Sequence, residues 1–574
     1  MAGVEYSYSK PVKRLGRLLR SERKIIYLIL FYALVNGIIV LTLPLGIQAI
    51  LNFIMGGRVT SSWVILIVIV VLGLTISGLI QIAQMTLTER LQQRIFTKSS
   101  FELAVRIPKI KVESFQNRYA PEMMNQFFDT INLQKGLAKL LVDFPTATLQ
   151  VIFGLILISV YHPFFLFFSL IIVFLLWLLF RYTGPQGVIT SLKESSHKYE
   201  VAHWLEEVAR TMGTFKLAGI TDLPLLKVDK LIMGYLYFRR KHFGILITQY
   251  KTMIAFKVIT TGALLIMGSI LLIDNQISLG QFVAAEIIII LIMNSIEKLI
   301  VGLESVYDVL TSVEKLGALT DMPLEEDKVK NPSNLTNCEA FAVNVESLQF
   351  HYPGTERSVI DKVSFEIKQG EKLVLAGKAG SGKTTLLQLL TGIYEDYQGR
   401  ITYNGVPLSA LCHDDLRLQI GDNIWQETIF KGSVRENITL GKSGVSDDMV
   451  MEALEAVSAI DSLNMLEEGL NTLLFPEGVK IPRSLSKKII LARSMVSQPK
   501  LLLMEMETDF MTNAERKKFY DYLLSKPWTL FAVSDESEFI QKADRMMFLD
   551  KGAISFEGKF DEFKNSGYAE FIRE

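Results

Sequence analysis

The sequence is poor in cysteine and has no excess of charge of either sign. Its 574 residues include two cysteines, Cys338 and Cys412, which are far apart in the chain and lack the spacing of a metal site. This usage indicates a reduced, cytosolic setting for that part of the chain. Basic and acidic residues number 60 each, so the net charge is zero and nothing indicates a nucleic-acid partner. We find neither an internal repeat nor a low-complexity tract.

Charged residues of both signs are also scarce, at 21% of the chain, and the mean hydropathy is +0.30. A purely soluble protein is therefore not expected. Six apolar runs are each long enough, at roughly 20 residues, to cross a bilayer as helices. The alternative, buried core helices, fits poorly because such helices rarely stay apolar on every face for so long. The runs are 25–47, 63–85, 140–161, 164–182, 253–273 and 279–301.

The connections between these runs differ in charge. Three short turns, around Gly56-Gly57, at His162-Pro163 and at Asp274-Asn275-Gln276, carry almost no positive charge. The N-terminal segment and the stretches 86–139 and 181–252 are polar, and the N-terminal segment is strongly basic. The positive-inside rule then predicts that both termini lie in the cytoplasm. The first run is too long for a cleaved signal peptide, and no small-residue cleavage site follows it.

The apolar runs end before a polar segment that has the composition of a linker, 321–339. Alternating strand patterns follow it, over 340–345 and 363–367. The sequence therefore predicts a membrane domain at 1–320 and a soluble α/β domain at 340–574, which is long enough to form its own core.

A complete phosphate-binding loop, 377–384, lies within the soluble domain. It follows a strand-like run, 372–376, and precedes a helix-like run, 386–390, which is the context that this motif requires. Lys383 would reach the β- and γ-phosphates of a nucleotide, and Thr384 would bind Mg²⁺. The alternative is a glycine-rich surface turn. The predicted nucleotide-binding residues here are Gly377, Lys378, Ala379, Gly380, Ser381, Gly382, Lys383, Thr384 and Thr385.

Six spans, two long helical excursions, a linker and a phosphate-loop domain together resemble an ATP-binding-cassette (ABC) exporter half-transporter. The resemblance implies a multi-domain fold, in which an all-α transmembrane domain of six helices precedes an α/β nucleotide-binding domain. It also implies ATP and Mg²⁺ as ligands, the lipid bilayer of a bacterial inner membrane, and a second half-transporter as partner. The run 43–50 is similar to bacterial type I secretion and bacteriocin exporters, for which a periplasmic adaptor is a further expected partner.

The resemblance assigns roles to two more residues. Tyr352 matches the aromatic residue that stacks on adenine, although an ordinary strand aromatic is the alternative. Gln426 matches the glutamine that senses Mg²⁺ and the membrane domain, and its alternative is a plain surface glutamine. The implied Mg²⁺-binding residues, acting through ATP, are therefore Thr384, Gln426 and Glu505.

The chain departs from the family at the signature sequence, which is normally Leu-Ser-Gly-Gly-Gln. The corresponding slot, 481–485, reads Ile-Pro-Arg-Ser-Leu. Arg483 and Ser484 replace the two glycines, so side chains stand where the backbone must approach a phosphate. Pro482 replaces the serine and has no N–H group to donate. We expect this slot to serve poorly in the opposite ATP site.

The catalytic positions are also altered. Glu505 takes the slot of the Mg²⁺-binding aspartate, and Met506 takes the slot of the general base, whose loss typically removes 10²–10⁴-fold in rate. Asp535 takes the slot of the switch histidine and would repel a γ-phosphate. We therefore assign no catalytic residue. Glu507 could replace the base through a shift of one residue, but successive strand residues point to opposite faces.

The sequence leaves two functions open. One is an exporter subunit that binds ATP and hydrolyses it poorly, and the other is an ATP-gated membrane scaffold or regulator. A soluble ATP-binding enzyme anchored by helices fits less well, because of the long helical excursions. Glu286 in the sixth span is costly in lipid and is expected either to line the translocation path or to stay hydrated near the outer surface. Gln81 and Gln84 could also face inward.

Overall fold

The computed structural model describes residues 9–55, 61–115, 120–326, 335, 337–424 and 428–572. The contacts between residues divide the chain into two compact units. The first comprises Met1–Ile110 and Asn117–Met322, and the second comprises Lys111–Gln116 and Pro323–Glu574.

The regular elements described for the first unit are helices. Among the described residues, six helical segments are long and apolar enough to cross a membrane, as the six predicted runs require. Their outward faces carry many exposed leucine, isoleucine, valine and phenylalanine side chains, which suits a hydrocarbon solvent. The helices are α1 Ser9–Ser21, α2 Arg23–Val40, α3 Thr42–Met55, α4 Ser61–Arg106, α5 Ala120–Met124, α6 Asp129–Tyr161, α7 Pro163–Arg210, α8 Met212–Leu217, α9 Leu223–Ile273 and α10 Leu279–Thr320.

Local sequence chemistry fixes where the spanning helices begin. The His162 ring accepts a hydrogen bond from the backbone N–H of Phe164, and Pro163 occupies the first helical position of α7. A capping box starts α10, in which the Ser278 and Gln281 side chains each bind the other's backbone N–H. Both starts lie at the short turns that the sequence analysis identified.

Helix α10 is the most buried of the spanning segments and packs closely on α6. Small residues allow this approach. A Cβ atom at Gly136 would lie 2.2 Å from the Val309 side chain, and one at Gly302 would lie 2.6 Å from the Phe144 ring. Without a hydrophobic force between helices in lipid, such close van der Waals contact is what holds a membrane bundle together.

The second unit contains a six-stranded sheet in the order β12-β11-β3-β10-β9-β6. Its strands pair in parallel, except that β12 is antiparallel to β11. A four-stranded antiparallel sheet has the order β2-β1-β4-β5, and β7 pairs with β8. The strands are β1 Val343–Phe350, β2 Ile360–Ile367, β3 Lys372–Gly377, β4 Gln398–Tyr403, β5 Val406–Pro407, β6 Ile420–Asp422, β7 Gly432–Ser433, β8 Leu473–Leu474, β9 Leu501–Glu505, β10 Thr529–Val533, β11 Arg545–Asp550 and β12 Ala553–Gly558.

The central strands of this sheet are buried on both faces, which explains their continuous apolar sequence. On β3, Val374 and Ala376 join a hydrophobic cluster that we call cluster A, which also contains Ile489 and Met504. Leu373 and Leu375 point the other way, into a second group that we call cluster B. The helices of this unit are α11 Lys383–Leu390, α12 His413–Arg417, α13 Val434–Thr439, α14 Asp447–Ala456, α15 Ile460–Asn464, α16 Arg483–Met495, α17 Asn513–Ser525, α18 Ser537–Lys542 and α19 Phe560–Phe563.

The second unit also holds a short piece of chain that is remote from it in sequence. Val112 packs against cluster B, and Lys111 Nζ lies 2.7 Å from Glu395 Oε2. That hydrogen-bonded ion pair raises the pKa of Lys111. Glu113 accepts a hydrogen bond of 3.2 Å from the backbone N–H of Glu395. Glu395 therefore binds this segment through both its side-chain carboxylate and its backbone N–H.

The close packing around Tyr307 in α10 leads to a prediction about a neighbouring glycine. It is buried, and its hydroxyl accepts a hydrogen bond of 2.7 Å from Gln249. A Cβ atom at Gly187 would lie 2.2 Å from the Tyr307 ring, whereas one at Gly244 meets nothing within 4 Å. We therefore expect Gly187→Ala to destabilise the protein by about 1–3 kcal/mol, as overpacking does.

The matched control is Gly244→Ala in α9, which should be neutral or stabilise the helix by up to about 1 kcal/mol. The measurement is the thermal unfolding midpoint of the full chain in detergent. Equal midpoints for the two variants would show that Tyr307 moves aside at no cost.

Candidate functional site

The phosphate-binding loop joins the end of β3 to the start of α11. Gly380 and Gly382 have φ angles of +73° and +104°, in the left-handed region where side chains are strained. A Cβ atom at Gly382 would also lie 2.8 Å from the Val359 carbonyl oxygen. The loop therefore turns sharply into the helix, whose N-terminal N–H groups and dipole favour an anion.

Lys383 lies back over the loop. Its Nζ donates hydrogen bonds to the carbonyl oxygens of Gly377, at 2.7 Å, and Lys378, at 2.8 Å. Burial lowers the pKa of Lys383, and the nearby carboxylates of Glu505 and Asp535 oppose that effect. The ammonium group is thus held at the place where phosphate oxygens would replace the carbonyls as acceptors.

Glu505 closes the other side of the site. The Thr384 hydroxyl donates a hydrogen bond to the Glu505 carboxylate. Asn423 fixes the glutamate backbone, because its Oδ1 accepts from Glu505 N at 2.8 Å and its Nδ2 donates to Glu505 O at 3.0 Å. A hydroxyl and a carboxylate are oxygen ligands of the kind that Mg²⁺ prefers.

The loop fits a nucleotide triphosphate in one further respect. The Ser381 hydroxyl oxygen is buried and has no hydrogen-bond partner among the described residues. A buried hydroxyl without a partner is costly, and a phosphate oxygen would supply one. The bound nucleotide with Mg²⁺ would carry the reacting phosphate, while Lys383, Thr384 and Glu505 would hold and orient it.

Tyr352 lines a cavity of about 680 Å³ that is also lined by Thr384 and Glu505. Its ring packs edge-on against Tyr394, with centroids 5.7 Å apart and planes at 83°. Its hydroxyl is 2.8 Å from the Thr385 hydroxyl. Burial raises the pKa of Tyr394 to about 12, so that phenol stays neutral. The role of Tyr352 as an adenine platform stays a prediction.

The remaining predicted ligand, Gln426, lies outside the described residues.

Strand β9 sorts its side chains between the two faces of the sheet. Leu502 and Met504 belong to cluster A, and Met506 packs against the same cluster. Leu501 and Leu503 face cluster B. Strand β9 ends at Glu505, so its alternation does not extend to the next two residues. Glu507 nevertheless lines the same cavity as Glu505 and Thr384, whereas Met506 is not among the lining residues.

Glu507 is held in position from two directions. Its backbone N–H donates to the Glu505 carbonyl at 3.0 Å, and its carboxylate accepts from Lys487 Nζ at 2.7 Å. Lys487 comes from α16 and lines the same cavity. The carboxylate is largely exposed, so this ion pair contributes little to stability and serves mainly to aim the side chain.

The signature slot forms the start of α16. Pro482 is the N-cap residue and has no side-chain capping hydrogen bond. Pro482 and Arg483 are exposed, whereas Leu485 is only 2% exposed and belongs to cluster A. An arginine in the first turn opposes the helix dipole. The slot therefore presents a proline and an arginine to solvent, and its fifth residue is part of the core.

Asp535 follows β10 and is half-buried. Its neighbour Glu536 accepts hydrogen bonds from the Thr508 and Tyr520 hydroxyls. These contacts fix the loop whose Asp535 carboxylate faces the Lys383 ammonium closely enough to affect its pKa. At the position that the sequence analysis assigned to the switch histidine, an acidic group therefore lies close enough to Lys383 to affect its pKa.

The sequence analysis did not identify several residues that line the cavity, among them Asn423, Tyr394 and Lys487. Asn423 follows the short strand β6, and its role depends on β6 pairing with β9. That pairing joins segments about 80 residues apart, so no local pattern reveals it. Lys487 lies four residues after Arg483 on the same helix, and a search along α16 for residues facing the loop could have found it.

The predicted polar residues of the membrane domain have different surroundings. Gln84 is buried and donates a hydrogen bond of 3.2 Å to the Ile29 carbonyl, so it joins α4 to α2. Gln81 lies 3.5 Å from the Ser77 hydroxyl. Glu286 is half-buried on α10, and no ion pair joins it to a residue in the described part of the chain. A role for Glu286 in a translocation path stays a prediction.

Comparisons with known proteins agree with this architecture. The family model for the ABC transporter transmembrane region matches residues 26–296, and the ABC transporter model matches residues 360–505. The chain is 24% identical over 577 residues to the ATP-dependent lipid A-core flippase of Burkholderia orbicola (strain AU 1054), which covers 97% of this chain and 95% of the flippase.

A second relative is the alpha-hemolysin translocation ATP-binding protein HlyB of Escherichia coli O157:H7. The chain is 26% identical to it over 381 residues, which is 64% of this chain and 52% of the relative. Among solved structures, a bacterial Atm1-family ABC exporter with ATP bound has a TM-score of 0.84 at 17% identity and covers 96% of this chain. The predicted fold class is confirmed.

These contacts predict that the site binds Mg-ATP. Lys383→Ala removes a charge-assisted donor, which is worth about 1.5–3 kcal/mol, so we expect affinity to fall roughly 10- to 100-fold. Tyr352→Ala should weaken binding by about 1–3 kcal/mol if the ring stacks on adenine. Calorimetry on the full chain in lipid discs measures both.

The control for this measurement is Glu467→Gln, a change at an exposed residue outside the cavity. A wild-type affinity no higher than that of Lys383→Ala would contradict the assignment of the loop.

Proposed function

This chain belongs to the ABC transporter family as an exporter subunit with an ATP-binding domain, and from that premise we propose that it binds Mg-ATP but hydrolyses it slowly. We also propose that it works beside a second half-transporter, with both termini in the cytoplasm of a bacterial cell. The observation that carries the proposal is a contrast near the phosphate-binding loop. The contacts of Thr384 and Lys383 support their roles in binding metal and phosphate, whereas Met506 packs against cluster A.

Slow hydrolysis follows from what the cavity supplies for the reaction. An attacking water must lose a proton, and a thioether cannot accept one. The acidic Asp535 adds negative charge where a neutral or cationic hydrogen-bond donor would stabilise a phosphate. Arg483 and Ser484 replace the glycines whose backbone would approach the phosphate in a partner's site, and Pro482 replaces the serine and has no N–H group to donate. Each change acts on the same transition state.

The second candidate function is an ATP-gated scaffold or regulator that binds nucleotide without pumping. The exposed Pro482 and Arg483 support it, because this chain would then impair the composite site of an intact partner as well as its own. Nucleotide-dependent flux of a partner's substrate distinguishes the two functions. Flux with a competent partner supports an exporter subunit, and ATP-dependent association without flux supports a scaffold.

We expect the purified wild type to hydrolyse ATP well below about 1 s⁻¹, the lower end of typical enzyme rates. Restoring Glu505→Asp and Met506→Glu alone should recover little activity in a homodimer, because the signature slot stays altered. The full repair should give much more than the sum of its parts, since residues that act as a unit are non-additive. It adds Asp535→His, Ile481→Leu, Pro482→Ser, Arg483→Gly, Ser484→Gly and Leu485→Gln.

Steady-state phosphate release in lipid discs measures these rates. A version of the full repair that keeps Leu485 is the matched control, because that side chain belongs to cluster A and its loss can unfold the domain. If the two-residue repair alone recovered most of the activity of the full set, the altered signature would be competent and the slow-hydrolysis proposal would fail.

We further propose that the hydrolysis that remains depends on Glu507. Its carboxylate lines the cavity that contains Thr384, and Lys487 aims it there. As a general base, it would take the proton from water as the new P–O bond forms and ADP leaves. Removal of a positioned base costs about 10²–10⁴-fold.

Glu507→Gln should therefore lower the slow wild-type rate to that of Lys383→Ala while leaving ATP affinity within about 3-fold, because the base contributes little to ground-state binding. Single-turnover hydrolysis and calorimetry on the same preparation separate the two effects. Glu477→Gln is the control, at an exposed glutamate outside this cavity. An unchanged rate in Glu507→Gln would remove Glu507 from the reaction.

A further inference from the structure

The turn that follows α11 carries an aromatic residue whose contacts are separate from those of the phosphate-binding loop. Tyr394 is 6% exposed, belongs to cluster B and lines the same cavity as Tyr352 and Thr384. It comes four residues after Leu390, the last residue of α11. Its ring therefore lies at the nucleotide cavity, although it can bind neither a phosphate nor a metal ion in the way that the loop does.

Tyr394 is one of three aromatic rings that pack together at the predicted base platform. Its ring centroid lies 5.7 Å from that of Tyr352 and 5.1 Å from that of Phe350. Phe350 and Tyr352 are 5.2 Å apart, with their planes at 79°. Aromatic pairs at such distances each contribute about 0.5–1.5 kcal/mol. The orientation of the Tyr352 ring therefore depends on Tyr394 as well as on the hydroxyl contact with Thr385.

The start of the turn that carries Tyr394 is held by Arg417, at the end of α12. Its guanidinium donates hydrogen bonds to the carbonyl oxygens of Thr391, at 3.2 Å, and Gly392, at 2.9 Å. The same guanidinium binds both carboxylate oxygens of Glu325, at 2.6 and 3.1 Å. A bidentate pair of this kind fixes direction as well as distance. The start of the turn is therefore anchored within the second unit.

The end of the turn is held by the segment that follows α4. Glu395 is the residue after Tyr394, and it binds Lys111 through its carboxylate and Glu113 through its backbone N–H. Burial raises the pKa of Tyr394 to about 12, and the Glu113 carboxylate adds to that rise. The segment therefore lies close to the phenol as well as to Glu395. It belongs to the second unit, although in sequence it lies between two helices of the first.

These contacts connect the ion pair to the place where a nucleotide base would stack. Consecutive Cα atoms are 3.80 Å apart, so the position of Glu395 limits where Tyr394 can place its ring. A binding group has to be held within about 0.5 Å of its productive position by the packing of its neighbours. Lys383 and Thr384 have contacts of their own within the loop and with Glu505. A change at Tyr394 should therefore affect the base end of the site and spare the phosphate end.

We propose that Tyr394 is a positioning residue for the nucleotide base and that the Lys111–Glu395 ion pair holds it in place. The inference rests on the proposed binding of Mg-ATP and deepens it, because it gives the base end of the site a contact with chain that lies in sequence between α4 and α6. Loss of the Tyr394 ring should lower ATP affinity about 10-fold. Loss of the ion pair should lower it about 3-fold, because the pair is only partly buried.

The test measures the affinity of the full chain in lipid discs for two probes, Mg-ATP and the magnesium complex of inorganic tripolyphosphate. The second probe has three linked phosphates and no base, so it reports the phosphate contacts alone. Titration calorimetry on the same preparation gives both affinities. We expect Tyr394→Ala to lower ATP affinity about 10-fold and to leave tripolyphosphate affinity within about 2-fold. Tyr394→Phe, which keeps the ring, should retain the ATP affinity of the wild type.

A cycle of variants tests the ion pair. Lys111→Met and Glu395→Gln should each lower ATP affinity about 3-fold, and the double variant should lower it no further, because all three remove the same contact. Both residues are partly exposed, so these variants stay informative if Tyr394→Ala fails to fold. The matched control is Lys542→Met, which breaks a pair of 2.9 Å with Asp521 outside the cavity. It should change neither affinity.

Equal losses of affinity for ATP and for tripolyphosphate in Tyr394→Ala would overturn the proposal, because the residue would then support the fold of the whole site. Unchanged ATP affinity in Lys111→Met, or losses that add in the double variant, would overturn the role of the ion pair. A wild type that binds ATP no better than Lys383→Ala would contradict the proposed function and this inference with it. A wild type that binds ATP, with no loss in Tyr394→Ala, would overturn this inference alone.

Discussion

The parallel pairing of β10 with β3 on one side and β9 on the other is the constraint on which the nucleotide site depends. Parallel strands end at the same edge of a sheet. This edge therefore collects the loop after β3, the acidic end of β9 and the segment after β10. Lys383, Glu505 and Asp535 come from three separate parts of the chain, and the register of two strand pairs places them together. Burial of both faces of the sheet keeps that register fixed.

The features predicted well from sequence are those encoded locally. The six spans follow from continuous apolar runs, and their helical form follows because backbone groups in lipid have no water to bind. The loop between β3 and α11 follows from glycine spacing and from a lysine and threonine at fixed offsets. These patterns need no knowledge of distant partners, so the fold class and the position of the loop could be derived before the structure.

The features that sequence reasoning could not supply depend on distant pairings. Glu507 lines the cavity with Glu505 while Met506 packs against cluster A, and this arrangement depends on the turn after β9 in which the Glu507 N–H binds the Glu505 carbonyl. The clamp of Asn423 on Glu505 depends on β6 lying next to β9. The sequence does contain the alternation of β9, but only the packed sheet shows which parity faces the cavity. The limits 1–320, 321–339 and 340–574 stay a prediction.

The segment around Lys111 has a consequence for how the nucleotide domain exists as a molecule. Val112, which follows α4 in the chain, packs against its hydrophobic interior. Glu395 binds the same segment through its carboxylate, which contacts Lys111, and through its backbone N–H, which donates to Glu113. The domain is thus discontinuous in sequence. During synthesis, the segment with Val112 is made more than two hundred residues before the rest of the domain. Its side chain therefore stays solvated until that domain folds. A polypeptide cut at residue 340 would contain every nucleotide ligand assigned here, yet it would leave open the place where Val112 belongs.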